Sequence, residues 1–388
     1  SDGFKGIKWF ADGRMEQLPP RTLGSVGYWI QRPQLIHILQ EELAPESIVG
    51  GTVHKIEFHD KRADVHVSTL SGDEHLVVKA TQVFGCDGIH SIVRSTLEEM
   101  DRDFRVHKIN CPSAGLCYRA TLITPPLDFD PHETFLILGK TDGRFSLLPF
   151  CGKHGDPRPL SLARTQDYSL FQTTNAEDLY DMIDQEFPQL NIRECLSLEA
   201  ATAWCESQGS IFPTPRWSGK AAQLVNDKIV VAIVGDALHS FPPDLGQGVN
   251  SGMMDVNAVL DTMDKNQPLT ETDLDMLNKT LVEEAEAVCR LLPIGMPYQY
   301  KLPHTLSKLV FFASFFTRWS LAGFSTKLSH LTRGFIGPLF TEPAIIQIQN
   351  DPPLKYTEIL RNHRRNTWLL SSLAVVAGWL GRKIWQKM

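Results

Sequence analysis

The sequence predicts an α/β protein with two interleaved domains, and three segments carry this prediction. An apolar run that begins at Ile229 ends in Gly-Asp and is followed by prolines, a glycine-rich turn and an amphipathic helix. A second apolar run from Val83 turns at Asp87-Gly88 into another predicted helix, and residues 107–225 consist mainly of separated β-like runs. Open α/β sheets bind ligands where buried strands end, so both turns are candidate binding sites.

The segment from Ile229 to Asp255 reads IVVAIVGDALHSFPPDLGQGVNSGMMD. Gly235 lets the backbone approach a ligand closely, and Asp236 can accept hydrogen bonds from a ribose diol. The Gly246-Gln247-Gly248 turn removes side chains where a flat ring must approach. The helix predicted from about Val249 to Met263 presents unpaired N–H groups at its start, which favour negative charge. The alternative is that strand-Gly-Asp is an ordinary turn, and the glycine-rich turn downstream favours the ligand interpretation.

A second motif runs from Val83 to Arg94 and reads VFGCDGIHSIVR. The turn at Asp87-Gly88 leads into a helix that places Asp87, Ser91 and Arg94 near one face. An arginine there can clamp a phosphate with two donors, and an aspartate can order water or backbone amides beside a pyrophosphate. A helix with an aspartate near its N-cap is the alternative interpretation.

Both motifs resemble those of the single-component flavoprotein monooxygenases. CDGIHSIVR is similar to the family's Asp-Gly motif and GDALHSFPPDLGQGVN to its Gly-Asp motif, and within the family the chain most resembles kynurenine 3-monooxygenases from about Ile7 onward. The resemblance implies FAD as the cofactor, NADPH or NADH as the reductant and O2 as the oxygen source. It also implies that one oxygen atom reaches an aromatic or other electron-rich molecule through a flavin C4a-hydroperoxide.

The resemblance also implies a set of site residues. Asp236 lies at the ribose, Arg32 belongs to an Arg-x-x-Leu pattern near the phosphates, and the carbonyl of Pro243 faces the reacting substrate. Pro243 and Asn250 are the implied catalytic residues. The implied cofactor-binding residues are Arg32, Asp87, Gly88, Arg94, Gly235, Asp236, Pro243, Gly246, Gln247, Gly248, Val249 and Asn250. For Arg32, an arginine at the start of a surface helix is the alternative.

One departure from the family concerns the FAD diphosphate. The family begins with a strand, a GxGxxG turn and a helix that hold this group, and no such motif occurs in this sequence. We therefore expect a fragment that lacks roughly the first 70 residues, about two βα units. A degenerate protein with weakened FAD binding is the alternative. The predicted fold class is an incomplete Rossmann-like FAD-binding domain interleaved with a mainly antiparallel substrate domain, plus C-terminal helices and a hydrophobic tail.

The predicted domain boundaries follow from the change in pattern along the chain. Residues 1–106 form the first part of the FAD-binding domain, and residues 107–225 form the substrate domain. Residues 226–290 return to the FAD-binding domain. Residues 291–388 form a C-terminal helical region with a membrane-associated tail.

The substrate is expected to differ from kynurenine. Kynurenine hydroxylases hold the substrate carboxylate with an arginine, tyrosines and an asparagine. Here Asn250 persists, but the arginine region offers only Lys5, Tyr28 is displaced by two positions, and the later tyrosine region reads LPIGM from Leu292. Since an ammonium cannot replace a planar guanidinium fork, we expect a more apolar aromatic or isoprenoid-like substrate. Tyr28, Tyr118 and Arg119 are the candidate substrate-binding residues.

Composition excludes some classes of function. Seven cysteines without CxxC or Cys/His spacing indicate a reducing compartment and no structural metal. Residues 301–388 carry 12 Lys and Arg against 3 Asp and Glu, a balance of +9, which leaves −16 for residues 1–300. The acidic body argues against nucleic-acid binding, and the basic tail favours an anionic surface.

The tail suggests a membrane anchor. Residues 367–381 are uncharged, have Trp368 and Trp379 near their ends and are flanked by arginines. At 15 residues this run covers about 22 Å of a hydrocarbon core roughly 30 Å thick, so it would span only with thinning or snorkelling. A packed core helix is the alternative. We expect a membrane-associated protein with a single C-terminal anchor; the resemblance implies the mitochondrial outer membrane, and other organelle membranes remain open.

Two further functions stay open at this point. The same fold serves flavin-dependent dehydrogenation, reduction or halogenation, which oxygen uptake and product analysis separate from hydroxylation. A non-catalytic, membrane-tethered remnant without stable FAD is the other alternative, and bound flavin would exclude it.

Overall fold

The computed structural model describes most of the chain. The described residues are 6–11, 14–17, 30, 32–69, 75–125, 129–130, 133–140, 144–147, 153, 155–263, 269–295, 297, 300, 305–332, 338–349 and 354–385. Lys5 and Tyr28, which the comparison with kynurenine hydroxylases singled out, lie outside this set.

Sixteen strands and ten α-helices occur in the described residues. The strands are β1 Gly6–Ala11, β2 Arg14–Gln17, β3 Gly51–Phe58, β4 Ala63–Thr69, β5 His75–Ala80, β6 Gln82–Gly85, β7 Val106–Lys108, β8 Cys117–Ile123, β9 Glu133–Leu138, β10 Arg144–Leu147, β11 Arg158–Arg164, β12 Ser210–Ile211, β13 Arg216–Ser218, β14 Ala222–Val225, β15 Ile229–Ile233 and β16 His239–Ser240. The helices are α1 Arg32–Glu41, α2 Ile92–Met100, α3 Ala176–Glu186, α4 Ile192–Cys195, α5 Leu198–Glu206, α6 Gly248–Thr262, α7 Glu271–Gly295, α8 Thr305–Leu331, α9 Ala344–Gln347 and α10 Tyr356–Trp385.

The chain divides into two compact units. Unit one comprises Ser1–Gly50 and Ala114–Phe212, and unit two comprises Gly51–Ser113 and Pro213–Met388. The predicted boundaries at 106/107 and 225/226 differ from these crossover points. Residues 1–50 group with unit one because β1 pairs with β9, and residues 213–225 group with unit two because β14 pairs with β15. Both differences between the predicted and the observed boundaries arise from strand pairing between distant segments, which local sequence patterns do not reveal.

Unit one is built on a mainly antiparallel sheet. Its seven strands have the order β12-β8-β11-β10-β9-β1-β2, and the β1–β9 pair is parallel. One face of the sheet packs against α3 and α5 through a buried apolar cluster that includes Phe145, Phe187 and Trp204. Helix α3 begins at an Asn175 cap, whose side chain accepts the Asp178 N–H at 2.9 Å. The prediction of a mainly antiparallel sheet is confirmed, and the sheet also includes β1 and β2 from the start of the chain.

Unit two contains three small sheets and the long helices. The sheets have the strand orders β3-β4-β5, β14-β15-β6 and β16-β13-β7. All five residues of β15 are buried, as expected of an apolar strand covered on both faces. Helix α7 packs against α6, α10, β13 and β14. Its buried residues recur at three- and four-residue spacing, as in Leu274, Leu277 and Leu281, which gives it one apolar face.

The C-terminal tail forms part of one long helix. Residues 367–381 lie inside α10. Among the described residues, no helix combines the length and apolarity needed to cross a membrane. The transmembrane prediction is therefore not supported, because charged residues interrupt the helix on both sides of that short apolar run.

Candidate functional site

The two sequence motifs meet at one sheet edge in unit two. β15 pairs with β6 in parallel, with Ile233 opposite Gly85, and the Val234 N–H donates to the Gly85 carbonyl at 3.0 Å. A Cβ at Gly85 would lie 2.7 Å from the Cβ of Val93 in α2, so glycine is needed for this strand and helix to pack. Since the strands are parallel, the turns that follow them leave the sheet at the same edge.

The turn after β15 is fixed by a buried carboxyl group. Gly235 has a φ of +58°, in the left-handed region that favours glycine, and a Cβ there would lie 3.9 Å from the Cα of Gly252 in α6. The Gly235 N–H donates to Oδ2 of Asp255 at 2.8 Å, and the same oxygen lies 2.8 Å from Nε2 of His239. The side chains of Asp255 and His239 are 4% and 2% exposed. Asp255 thus joins α6 to the Gly-Asp turn.

Asp236 follows Gly235 and points its charge outward. Its side chain is exposed, and its carboxylate makes no hydrogen bond within the described part of the chain. Burial lowers the pKa of Arg216, and the charge of Asp236 opposes that shift. The carboxylate is therefore available to accept hydrogen bonds from a hydroxylated ligand.

Arg94 connects the two motifs from inside the protein. Its Nη1 donates to the Ala237 carbonyl at 2.6 Å and its Nη2 to the Ile89 carbonyl at 2.8 Å, and the residue is 9% exposed. Burial, followed by the nearby charge of Arg216, lowers the pKa of Arg94. Two of its donors are thus used within the protein, whereas the sequence suggested a phosphate clamp. A phosphate contact by Arg94 stays a prediction and would need these donors to change partners.

Asp87 and Ser91 cap the helix that follows the first motif. Oδ2 of Asp87 accepts the Ile92 N–H at 2.7 Å and the Val93 N–H at 3.3 Å. Oγ of Ser91 accepts the Arg94 N–H at 2.9 Å. The exposed Asp87 therefore orders backbone amides, as the sequence suggested; its position relative to a pyrophosphate stays a prediction.

The glycine-rich turn leaves open space at the start of α6. Gly246 has a φ of +63°, and in the described part of the chain no atom from beyond the adjoining backbone lies within 4 Å of where a Cβ would stand at Gly246 or Gly248. Val249 and Asn250 in the first turn of α6 are exposed, as is Pro243. A flat ring can approach this turn without meeting side chains. All the implied cofactor-binding residues except Arg32 lie in unit two.

Asp244 is a buried carboxyl group in the same loop. It is 2% exposed, and its Oδ1 accepts a hydrogen bond from Oγ of Ser113, which is fully buried. Its Oδ2 has no hydrogen-bond partner among the described residues. Burial raises the pKa of Asp244 to about 6. This loop therefore contains an acid that titrates near neutral pH.

Three predicted residues lie in unit one. Arg32 is exposed at the first position of α1. Tyr118 stacks on Phe212 with ring centroids 5.7 Å apart. Arg119 is 9% exposed, and its guanidinium lies 5.0 Å from the ring centroid of Phe171. Arg119 thus packs in the interior of unit one, and the substrate contacts suggested for Tyr118 and Arg119 stay predictions.

The sequence interpretation missed three residues that shape the site. Asp255 was inside the quoted motif but was not assigned a role; its signal was a polar residue on the buried face of α6, in line with Ser251 and Val259. Asp244 was likewise inside the motif. Tyr356 of α10, whose hydroxyl donates to Oε1 of Gln247 at 2.9 Å, gave no local signal.

A cleft of about 620 Å³ lies between the end of α7 and α10, also in unit two. Its wall is mostly apolar, with two guanidinium groups at the side. The residues relevant to its chemistry are Arg290, Pro293, Ile294, Leu360, Arg364 and Trp368. Pro293 and Ile294 belong to the region where the resemblance would require a tyrosine.

These residues fit an FAD ribose and ring. The exposed carboxylate of Asp236 suits a diol, the open space at Gly246 and Gly248 suits a flat ring, and the start of α6 supplies N–H groups. In the described residues, no group of three or more His, Cys, Asp or Glu side chains is arranged to hold a metal ion.

The chain belongs to the FAD binding domain family, whose sequence profile matches residues 28–288. It is similar to the kynurenine 3-monooxygenase of Candida albicans, with 23% identity over 310 residues that cover 72% of this chain and 62% of the relative. The kynurenine 3-monooxygenase of Drosophila melanogaster is 42% identical over 59 residues, which cover 15% of this chain and 12% of the relative. The FAD-dependent monooxygenase idtM of Claviceps paspali is 24% identical over 264 residues, 63% of this chain and 50% of the relative. The chain spans less than two thirds of the length of these relatives.

Solved structures share the fold. HpxO of Klebsiella pneumoniae, complexed with FAD and uric acid, has a TM-score of 0.52 at 15% identity, covering 80% of this chain and 76% of that chain. The tetrameric form of 2-methyl-3-hydroxypyridine-5-carboxylic acid oxygenase has a TM-score of 0.52 at 16% identity, covering 75% and 73%. Together with the family match, these likenesses confirm the resemblance and the fold class inferred from the two motifs, and they support FAD as the cofactor.

Proposed function

We propose that this chain is the catalytic part of an FAD-dependent monooxygenase that consumes NADPH or NADH and O2. The observation that carries the proposal is the exposed carboxylate of Asp236 at the end of β15, with the open Gly246-Gln247-Gly248 turn in the same unit. Relatives named as monooxygenases and the family match support it.

The residues of this chain supply binding, orientation and electrostatics. When bound, FAD supplies electron transfer from the nicotinamide and the activation of O2. Asp236 accepts hydrogen bonds from the ribose hydroxyls, and the N–H groups at the start of α6 favour the negative charge of a reduced ring. The Pro243 carbonyl accepts the Gly246 N–H at 3.1 Å, and its second lone pair would accept from the substrate, which Asn250 would orient. The proposed chemistry requires no side-chain nucleophile.

We propose that the substrate is an apolar aromatic or isoprenoid-like molecule. The mostly apolar wall that Pro293, Ile294 and Leu360 give to the cleft beside α7 supports this class. The two guanidinium groups of the cleft, those of Arg290 and Arg364, lie beside this wall, and Arg290 already donates from Nε to Oε1 of Glu286 at 2.6 Å. Burial lowers the pKa of His363 in this cleft to about 4, so this side chain is neutral at pH 7.

A direct assay separates the substrate classes. The protein is loaded with FAD and mixed with NADPH, O2 and either L-kynurenine or a panel of apolar aromatic compounds. We expect coupled hydroxylation of a panel member and little of kynurenine. Rapid, coupled formation of 3-hydroxykynurenine would contradict the substrate proposal and keep the monooxygenase proposal, whereas failure to bind FAD would contradict both.

We also propose that α10 rests on a membrane surface without crossing the bilayer. Its distal half exposes apolar residues beside exposed arginines, a pattern typical of interfacial helices. The exposed apolar residues are Trp368, Leu373, Val375, Val376 and Trp379, and the exposed arginines are Arg364, Arg365 and Arg382.

A further inference from the structure

The first turn of the C-terminal helix α10 contacts the glycine-rich turn directly. The Tyr356 hydroxyl donates to Oε1 of Gln247 at 2.9 Å, and the tyrosine is 3% exposed. Nδ2 of Asn250 donates to the same oxygen at 3.4 Å, and Nε2 of Gln247 reaches the Leu245 carbonyl at 3.4 Å. Since Oε1 accepts two hydrogen bonds, the orientation of the Gln247 amide is defined.

Tyr356 is itself held by helix α7. Oε2 of Glu284 accepts the Tyr356 N–H at 2.7 Å, and its Oε1 accepts the Thr357 N–H at 3.4 Å together with the Thr357 hydroxyl. A carboxylate at this position satisfies the unpaired N–H groups at the start of α10. The tyrosine ring is therefore anchored at both its backbone and its hydroxyl.

The phenol of Tyr356 acts as a donor under all physiological conditions. Burial, and next the charges of Glu284 and Asp255, raise its pKa. The group therefore stays protonated, and its single O–H is directed to Gln247. A neutral buried hydrogen bond of this kind restricts the turn without adding charge beside the ring site.

We propose that Tyr356 is a positioning residue for the cofactor, acting through Gln247 on the amides of residues 246–250. The proposal rests on the proposed function of this turn as the flavin-facing loop. It means that the start of α10 belongs to the cofactor site, whereas the sequence interpretation placed residues 291–388 in a C-terminal helical region outside the FAD-binding domain.

The test compares Tyr356→Phe with Tyr180→Phe. Both remove one buried hydroxyl; that of Tyr180 donates to the Leu196 carbonyl at 2.9 Å in unit one. Hydrogen exchange of the Gly246 and Ser251 amides, which donate to the Pro243 and Gln247 carbonyls, is measured without FAD, and FAD affinity is measured by titration. For Tyr356→Phe we expect about two- to ten-fold faster exchange and about two- to ten-fold weaker FAD binding, at nearly unchanged melting temperature. Tyr180→Phe should change neither quantity.

A double-mutant cycle covers the case in which Tyr356→Phe perturbs folding. Gln247→Leu removes the acceptor, and the double variant should bind FAD no more weakly than the weaker single variant. Additive losses overturn the proposal. The proposal is also overturned if Tyr356→Phe leaves hydrogen exchange unchanged, or if it speeds exchange and leaves the FAD affinity unchanged. If the unaltered chain binds no FAD, the proposed function fails, and unchanged exchange in the absence of FAD then separately overturns the role of Tyr356.

Discussion

Oδ2 of Asp255 lies 2.8 Å from Nε2 of His239, and both side chains are buried. The same oxygen accepts the Gly235 N–H, and the imidazole supplies a second donor to it when the ring proton is placed on Nε2. One carboxyl oxygen thus links α6, the Gly-Asp turn and β16. This link determines where Asp236 presents its charge, because Asp236 directly follows Gly235.

Replacing Asp255 should destabilise the protein in a graded way. Asp255→Ala leaves the Gly235 N–H and His239 Nε2 without a partner in the interior, at a cost of about 2–4 kcal/mol. Asp255→Asn should cost less than half as much, because the amide oxygen can take the place of Oδ2 and accept from both the Gly235 N–H and His239 Nε2. Urea unfolding measures both, with Asp261→Ala at an exposed position of α6 as the control. An Asp255→Ala cost no larger than that of Asp261→Ala would contradict the structural role.

Asp244 should make stability depend on pH. Its pKa in the folded protein is raised from 3.8 to about 6, so the folded state binds the proton more tightly than the unfolded state. The stabilisation is complete below pH 4 and is lost as pH rises through 6, which costs about 2–3 kcal/mol above that value. Asp244→Asn keeps an acceptor for Ser113 and loses the charge.

The free energy of unfolding of Asp244→Asn relative to the unaltered chain should therefore rise between pH 4.5 and 7.5. Urea unfolding at several pH values measures this difference, and Asp261→Asn serves as the control with a flat profile. A difference that stays constant with pH would show that Asp244 does not titrate in this range.

Replacing Arg94 with lysine should lower the stability of the protein. Its guanidinium reaches the carbonyls of Ala237 and Ile89 at once, which a lysine ammonium cannot do. We expect Arg94→Lys to lower the free energy of unfolding by about 1.5–3 kcal/mol. Arg193→Lys, which alters exposed ion pairs with Glu177 and Asp181, should cost less than about 1 kcal/mol. Equal losses for the two variants would mean that the Arg94 bridge contributes little.

Removal of residues 367–388 should separate membrane association from cofactor binding. The truncation removes exposed Trp368 and Trp379 but retains Tyr356 and Glu284. We expect FAD affinity within about two-fold of the full chain, since a hydrogen bond of about 1 kcal/mol at the turn is kept. Binding to vesicles of phosphatidylcholine and phosphatidylserine should be lost in a flotation assay. Vesicle binding that survives the truncation would place the attachment elsewhere, for example on α8.

Local patterns in the sequence predicted much of the fold. The apolar run from Ile229 forms β15, and the helix expected at 249–263 is observed at Gly248–Thr262. The β-like runs of residues 107–225 include the strand observed at Arg158–Arg164. These elements depend on periodicity and end signals within the segment itself. The grouping of residues 1–50 with unit one depends on pairing with β9, and no local pattern carries that information.

The sequence predicted those parts of the candidate site that are glycine-containing turns. Gly235 and Gly246 have the positive φ angles for which glycine is suited, and their spacing could be read directly. The Tyr356–Gln247 contact joins residues 109 positions apart, so it becomes visible only when α10 is placed. For Arg94 the sequence suggested a contact that the structure does not show. An arginine in this motif suggested a phosphate partner, whereas the buried guanidinium donates to the carbonyls of Ala237 and Ile89.

The most direct test of the account is an FAD titration of the unaltered chain, Asp236→Ala and Asp261→Ala, followed by flavin fluorescence. We predict weak but saturable FAD binding by the unaltered chain, because the sequence has no GxGxxG turn to hold the diphosphate. We also predict about ten- to one-hundred-fold weaker binding for Asp236→Ala, because a charged acceptor of ribose hydrogen bonds is worth about 1.5–3 kcal/mol. Asp261→Ala should bind as the unaltered chain does. No saturable binding by the unaltered chain, or equal affinity for Asp236→Ala, would contradict the assignment of this site to FAD.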